Sequence, residues 1–190
     1  MAQLELVTPT EHFKEKLSVA SRELNFHLSP DVEFYLVTLL CKFVNPTEAL
    51  TLDRPLALQL KDAHESNNEA RQKHLKHLGD TALYLAGYFQ DFFNKKTYDI
   101  SYYISMGSNA YLKLSCEKNG TIERLYKELS DGFVRLVEVV AAISDEASTD
   151  KDVNILATYD RWTRTGSDRL RKLLEREGIS PIDVNMNRVQ

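Results

Sequence analysis

The chain has 190 residues, with 24 lysines and arginines against 28 aspartates and glutamates, and 43% of its residues are hydrophobic. A net charge of −4 excludes a strongly basic nucleic-acid binder, and the apolar content excludes a disordered chain. A chain of this length buries about 70% of the surface its unfolded form exposes, so its core needs neither a metal nor a disulfide.

Prolines stand at positions 9, 30, 46, 55 and 181, which leaves the 125 residues from Leu56 to Ser180 without one. With only seven glycines in the chain, that spacing favours long helices over a turn-rich sandwich or barrel. Thr8-Pro9-Thr10-Glu11 has the form of a capping box, and Phe13, Leu17, Ala20 and Leu24 fall on one face of the helix it opens. Ser29-Pro30-Asp31 starts a second helix, Val32 to Val44, apolar on almost every side and therefore expected at the centre of a bundle. Asp53-Arg54-Pro55 opens a shorter third helix that runs to about Ser66.

The fourth helix, about Asn68 to Phe93, repeats Leu75, Leu78, Ala82, Leu85, Phe89 and Phe92 at spacings of three and four. A second stripe beside it, His74, His77, Thr81, Tyr84, Tyr88 and Asp91, is aromatic and polar at once. After a turn at Asn94 to Thr97, a fifth helix runs from about Tyr98 to Cys116 and ends at Asn119-Gly120. A sixth, about Thr121 to Ser144, is expected to bury Ile122, Leu125, Leu129, Phe133, Leu136, Val140 and Ile143. The seventh starts near Thr149-Asp150, shows Ile155, Tyr159, Trp162, Leu170 and Leu173 on one side, bends at Gly166-Ser167 and stops at Gly178, with Ile179 packing back on Leu174.

The longest run without a charged residue, Ile100 to Leu112, has thirteen residues, short of the roughly 18 that a membrane-spanning helix needs. Cys41 and Cys116 lie too far apart to suggest a secreted disulfide framework, and the N-terminus, with Glu5 ahead of any basic residue, does not read as a signal peptide. These features predict a cytoplasmic protein.

Six of the nine tyrosines fall between Tyr84 and Tyr111, accompanied by Gly79, Gly87, Gly107 and several alanines and serines. Each helical glycine costs about 1 kcal/mol relative to alanine, so close helix packing or a ligand pocket has to offset it. His74, His77 and Asp80 could hold a metal by type, but the spacing is common and Lys73 and Lys76 beside them would repel a cation. Haem ligation by His77 within an aromatic pocket is a comparable minor alternative, and no glutamate precedes any histidine by three positions, as a di-iron bundle requires. Phosphate-binding, dinucleotide, zinc-protease and serine-hydrolase signatures are absent. The arginines from Arg161 to Arg176 alternate with acids, Asp160–Arg164 and Asp168–Lys172 at favourable helical spacing, and read as an internally paired solvated face.

The segments His77–Gly87, Asp99–Tyr111 and Tyr159–Ser167 together resemble a group of uncharacterised all-helical bacterial proteins of similar length. The resemblance covers about half the chain, implies a bacterial cytoplasmic protein, and carries no activity and no catalytic residue.

The reading that results is all-α: a single domain over residues 1–181, an irregular bundle of about seven helices with the helix at about 30–44 central, and a loose tail at 182–190. The expected function is non-catalytic, protein interaction or self-association as a homodimer through the tyrosine-rich hairpin at about 74–116. Its candidate residues are His77, Asp80, Tyr84, Tyr88, Tyr103, Asn109 and Tyr111. The alternative puts a small-molecule ligand or substrate in a pocket lined by the same residues, with His77 as acid or base and Asp80 orienting it. Neither reading calls for a metal, a cofactor, nucleic acid or a membrane span.

Overall fold

Thr8 starts the first helix as its sequence dictates. Its Oγ1 accepts from the Glu11 N–H at 3.2 Å while the Glu11 carboxylate accepts from the Thr8 N–H at 3.0 Å. Those bonds to the Glu11 carboxylate, the backbone one foremost, hold its pKa below the ordinary value. The computed structural model describes residues 8–44, 54–88, 100–147, 162, 168–176 and 179. Eight helices lie within them: α1 (Pro9–Glu23), α2 (Pro30–Val44), α3 (Leu56–Glu65), α4 (Asn68–Tyr88), α5 (Ile100–Cys116), α6 (Thr121–Asp131), α7 (Phe133–Ala147) and α8 (Asp168–Arg176). No strand occurs among the described residues, and no helix there is long and apolar enough to cross a membrane.

The architecture is the irregular helical bundle that the spacing of prolines and apolar residues predicts, with one change in its centre. Val32, Leu36, Val37, Leu39, Leu40 and Phe43 of α2 are buried, but Phe34 is 75% exposed, so α2 has an outer face. The enclosed helix is α4, where every residue from Leu78 to Tyr84 is buried, together with Leu75, Ala86 and Gly87. Burial on all sides for two turns requires neighbours on all sides, and α2, α3, α5 and α7 supply them. Periodicity alone favoured α2 because α2 is the more apolar helix; α4 reaches the centre with small and polar residues that let its neighbours approach.

The single sixth helix expected over 121–144 is two helices. Gly132 interrupts it, its N–H bonding to the Glu128 carbonyl at 2.9 Å and its own carbonyl accepting from Leu136 N–H at 2.9 Å. The break lets α6 lie along α5 while α7 lies along α4 and α1. Ser130 Oγ donates to the Ser108 carbonyl at 2.9 Å and fixes α6 on α5. Ile122, expected in the core, is 52% exposed in the first turn of α6, and the buried stripe begins a turn later at Tyr126. The fifth helix ends at Cys116, ahead of the Asn119-Gly120 pair, and Gly120 instead takes φ 68° immediately before α6.

The main core draws on α1 to α7. A smaller cluster joins Trp162 to Leu170 and Leu174 of α8, with Ile179 against it, and the Ile179 N–H bonds to the Leu174 carbonyl at 2.9 Å, as the C-terminal pattern predicts. Several expectations fall outside the described residues: Phe89 to Phe93 at the end of the fourth helix, the turn at 94–97, the helix start near Thr149-Asp150, the bend at Gly166-Ser167, and the tail at 182–190.

Candidate functional site

The tyrosine-rich hairpin is built around one carboxylate. Asp80, in the middle of α4, is 2% exposed, and both its oxygens are taken. Oδ1 accepts from the Tyr35 hydroxyl of α2 at 2.5 Å and the Tyr111 hydroxyl of α5 at 2.9 Å, and Oδ2 accepts from Lys76 Nζ at 2.6 Å. Lys76 stands one turn before Asp80 with its side chain 45% exposed, and its ammonium lies 4.8 Å from the centre of the Tyr35 ring. Tyr126 of α6 completes the group, its ring 5.9 Å from that of Tyr111 and 6.2 Å from that of Tyr35. A buried carboxylate is tolerable only with such donors around it. Four helices therefore meet at one acid.

Burial and, after it, the negative charge of Asp80 push the Tyr35 and Tyr111 hydroxyls well above the ordinary tyrosine pKa. Tyr126 is raised by the same two causes in the same order. Both hydroxyls on Asp80 are therefore protonated donors at neutral pH.

The glycines of the hairpin serve this packing. A Cβ on Gly79 would stand 2.5 Å from Tyr111 Cε1, and one on Gly87 would stand 2.6 Å from the Val140 side chain of α7. A Cβ on Gly107 would run into the Phe133 ring and Ala82. Close helix approach accounts for all three, and α7 takes part as much as the hairpin does.

The other candidate residues divide between core and surface. Tyr84 is buried in a stack of three rings, 4.5 Å from Phe43 and 5.2 Å from Tyr88, and burial followed by the neighbouring Tyr88 raises its pKa to about 12. Tyr88 is half-buried at the end of that stack. Tyr103 is half-buried and meets Tyr102 edge-on at 5.5 Å. Asn109 is exposed, and its Nδ2 donates back to the Ser105 carbonyl at 2.8 Å. His77 is half-buried, and the donors to Asp80 among the described residues are Tyr35, Tyr111 and Lys76. Asp80, Tyr84 and Tyr111 are buried and unavailable to a partner's surface.

Two members of the Asp80 group were not among the candidates. Tyr35 counts as apolar in a helix pattern, but a tyrosine inside an otherwise apolar helix has a hydroxyl that must find an acceptor. Lys76 stands four residues before Asp80, a spacing that brings the two side chains together and makes it a partner of that acid as well as a charge that repels cations.

Among the described residues no three histidine, cysteine, aspartate or glutamate side chains gather as a metal site would require. Two solvent-open clefts lie elsewhere, at the C-terminal end of α1, and none of their described lining residues belongs to the hairpin. Chemically, the Asp80 group is a sealed joint with one exposed amine at its rim. No protein-family model, curated protein or solved structure matches the chain.

Proposed function

We propose that the chain is a non-catalytic, cytoplasmic module that self-associates through the outer face of α5. One observation carries the reading. Ser105, Asn109 and Leu112 form an exposed stripe at helical spacing, bounded by Lys113, and no charged residue occurs from Ile100 to Leu112 in a chain that is 27% charged. Charge depletion on an exposed face is the compositional mark of an interface core. A two-fold axis lets such a stripe meet itself without setting like charges together, so one patch suffices. Cys41 and Cys116 are unpaired, Cys116 on the surface, which supports a reducing compartment.

The hairpin's part is thereby divided: Asp80 and Tyr111 join α5 to α4, Tyr84 packs α4 on α2, and Asn109 lies on the face that α5 presents. Native mass spectrometry together with sedimentation over a range of concentrations tests this. The expected result is a dimer that Asn109→Arg converts to a monomer with an unchanged far-UV spectrum, because the substitution sets two guanidinium groups against each other. A wild-type chain that stays monomeric at every concentration overturns the reading, as does a dimer indifferent to Asn109→Arg.

A further inference from the structure

A cleft of about 540 Å³ opens between the C-terminal end of α1, α7 and α8. Among the described residues three cations line it, Arg135 from α7 and Lys172 and Arg176 from α8, against Glu23 in the lining and Glu138, which pairs with Arg135 beside it. That is a local excess of positive charge on a chain whose net charge is −4. Arg135 is held in position, with Nη1 2.9 Å from Glu138 Oε2 and its guanidinium 5.9 Å from the centre of the Phe26 ring.

Lys172 and Arg176 stand one turn apart on the same side of α8, an arrangement of like charges that costs a helix stability. The sequence pattern suggests internal pairing along this helix, and Arg171 with Glu175 does pair, at 3.3 Å, outside the cleft. Within it, neither Lys172 nor Arg176 has an ion pair among the described side chains, Glu23 included; Asp168, the partner expected for Lys172, lies outside them. Two cations with no ion pair among the described side chains, sharing a cleft with a positioned arginine, are a donor set for a multiply charged anion.

Size and lining narrow the class of anion. The cleft is far larger than an inorganic oxyanion and falls in the range of small-ligand sites. Leu24 and Leu173 give its walls an apolar part, and Glu23 offers an acceptor for a ligand hydroxyl. We propose that this cleft binds a phosphate monoester of a small organic molecule, the dianionic group between Arg135, Lys172 and Arg176 and the organic body against Leu24 and Leu173. A phosphate monoester carries about −1.5 to −2 charges at neutral pH, which answers the two cations of α8. The site is separate from the α5 face, so either proposal can fail without the other.

Calorimetric titration of the full chain with phenyl phosphate, inorganic phosphate and phenol tests it. Saturable binding of one phenyl phosphate per chain is expected, with inorganic phosphate about tenfold weaker and phenol inert. Lys172→Gln and Arg176→Gln should each weaken phenyl phosphate about tenfold, as loss of one charge-assisted contact does, with far-UV spectra unchanged. Arg171→Gln on the same helix is the control and should leave binding as it is. The proposal is overturned if phenyl phosphate does not saturate, if inorganic phosphate or phenol equals it, or if Arg171→Gln weakens binding as much as Arg176→Gln.

Discussion

The Tyr111 hydroxyl donates to Asp80 Oδ1 at 2.9 Å, thirty-one positions away in the chain, and makes the α4–α5 packing and the buried polar network a single object. The ring that carries the hydroxyl fills the space that a side chain at residue 79 would take, so the glycine next to Asp80 is what brings the donor within reach. Lys76 and Tyr35 then satisfy what Tyr111 leaves open. An acid in this setting stabilises only while its donors are complete.

Removing the acid should therefore cost more than removing one donor. Asp80→Ala leaves the Tyr35 and Tyr111 hydroxyls buried without an acceptor and should destabilise the fold by about 3 kcal/mol, whereas Tyr111→Phe, which leaves Asp80 two donors, should cost about 1–2 kcal/mol. Equilibrium denaturant unfolding of the two variants measures both. Equal losses, or a neutral Asp80→Ala, would show that the cluster is not what joins these helices.

Gly79→Ala should destabilise despite alanine's better helix propensity. The new Cβ would have to push the fully buried Tyr111 ring aside, at about 1–3 kcal/mol. In a Tyr111→Leu background the obstruction is gone, and the same substitution should become neutral or favourable by up to about 1 kcal/mol. A double-mutant cycle reads the coupling directly; additivity would deny that ring and glycine share the space.

At high pH the tyrosines should set the limit of stability. Tyr35, Tyr84 and Tyr111 all have pKa values raised in the fold, Tyr84 to about 12, against about 10 in an unfolded chain. A raised pKa means that the folded state keeps its proton longer. The stabilisation is therefore fully present below about pH 10 and is lost as the pH climbs through the folded-state values, at about 1.4 kcal/mol per pH unit for each retained proton. Stability should fall steeply above about pH 10, with tyrosinate absorbance for these residues appearing together with unfolding. Tyr84→Phe should flatten the fall between pH 10 and 12. Full ionisation of all nine tyrosines near pH 10 with the fold intact would contradict this.

What the sequence makes legible here is what depends on neighbours along the chain. The capping box at Thr8 and Glu11, the proline-led starts of α1 to α3, and the packing of Ile179 back on Leu174 are all settled within a few residues, and all are present. Orientation is less legible. Phe34 and Leu36 are equally apolar, yet one is 75% exposed and the other fully buried, because only the placement of α1, α4 and α6 decides which side of α2 is covered. The aromatic stripe of α4 was visible as a stripe, but that Tyr84 faces Phe43 and that Asp80 faces Tyr35 rest on contacts between helices distant in sequence. The cleft residues Arg135, Lys172 and Arg176 come from two helices, and no local pattern joins them.

The Trp162 cluster should be the first part of the described structure to open. Among the described residues it consists of Trp162, Leu170, Leu174 and Ile179 and shares no member with the main core, so far less apolar burial holds α8 than holds α4. Trp162 is the only tryptophan in the chain, so its fluorescence reports this cluster alone. In a denaturant titration the fluorescence transition should come at lower concentration than the loss of far-UV ellipticity, which the larger bundle dominates. Because α8 supplies two of the three cations of the cleft, phenyl phosphate should move the fluorescence transition upward and leave the ellipticity midpoint nearly where it is. Coincident transitions would place α8 in the cooperative unit of the main core, and a ligand shift of both transitions together would say the same.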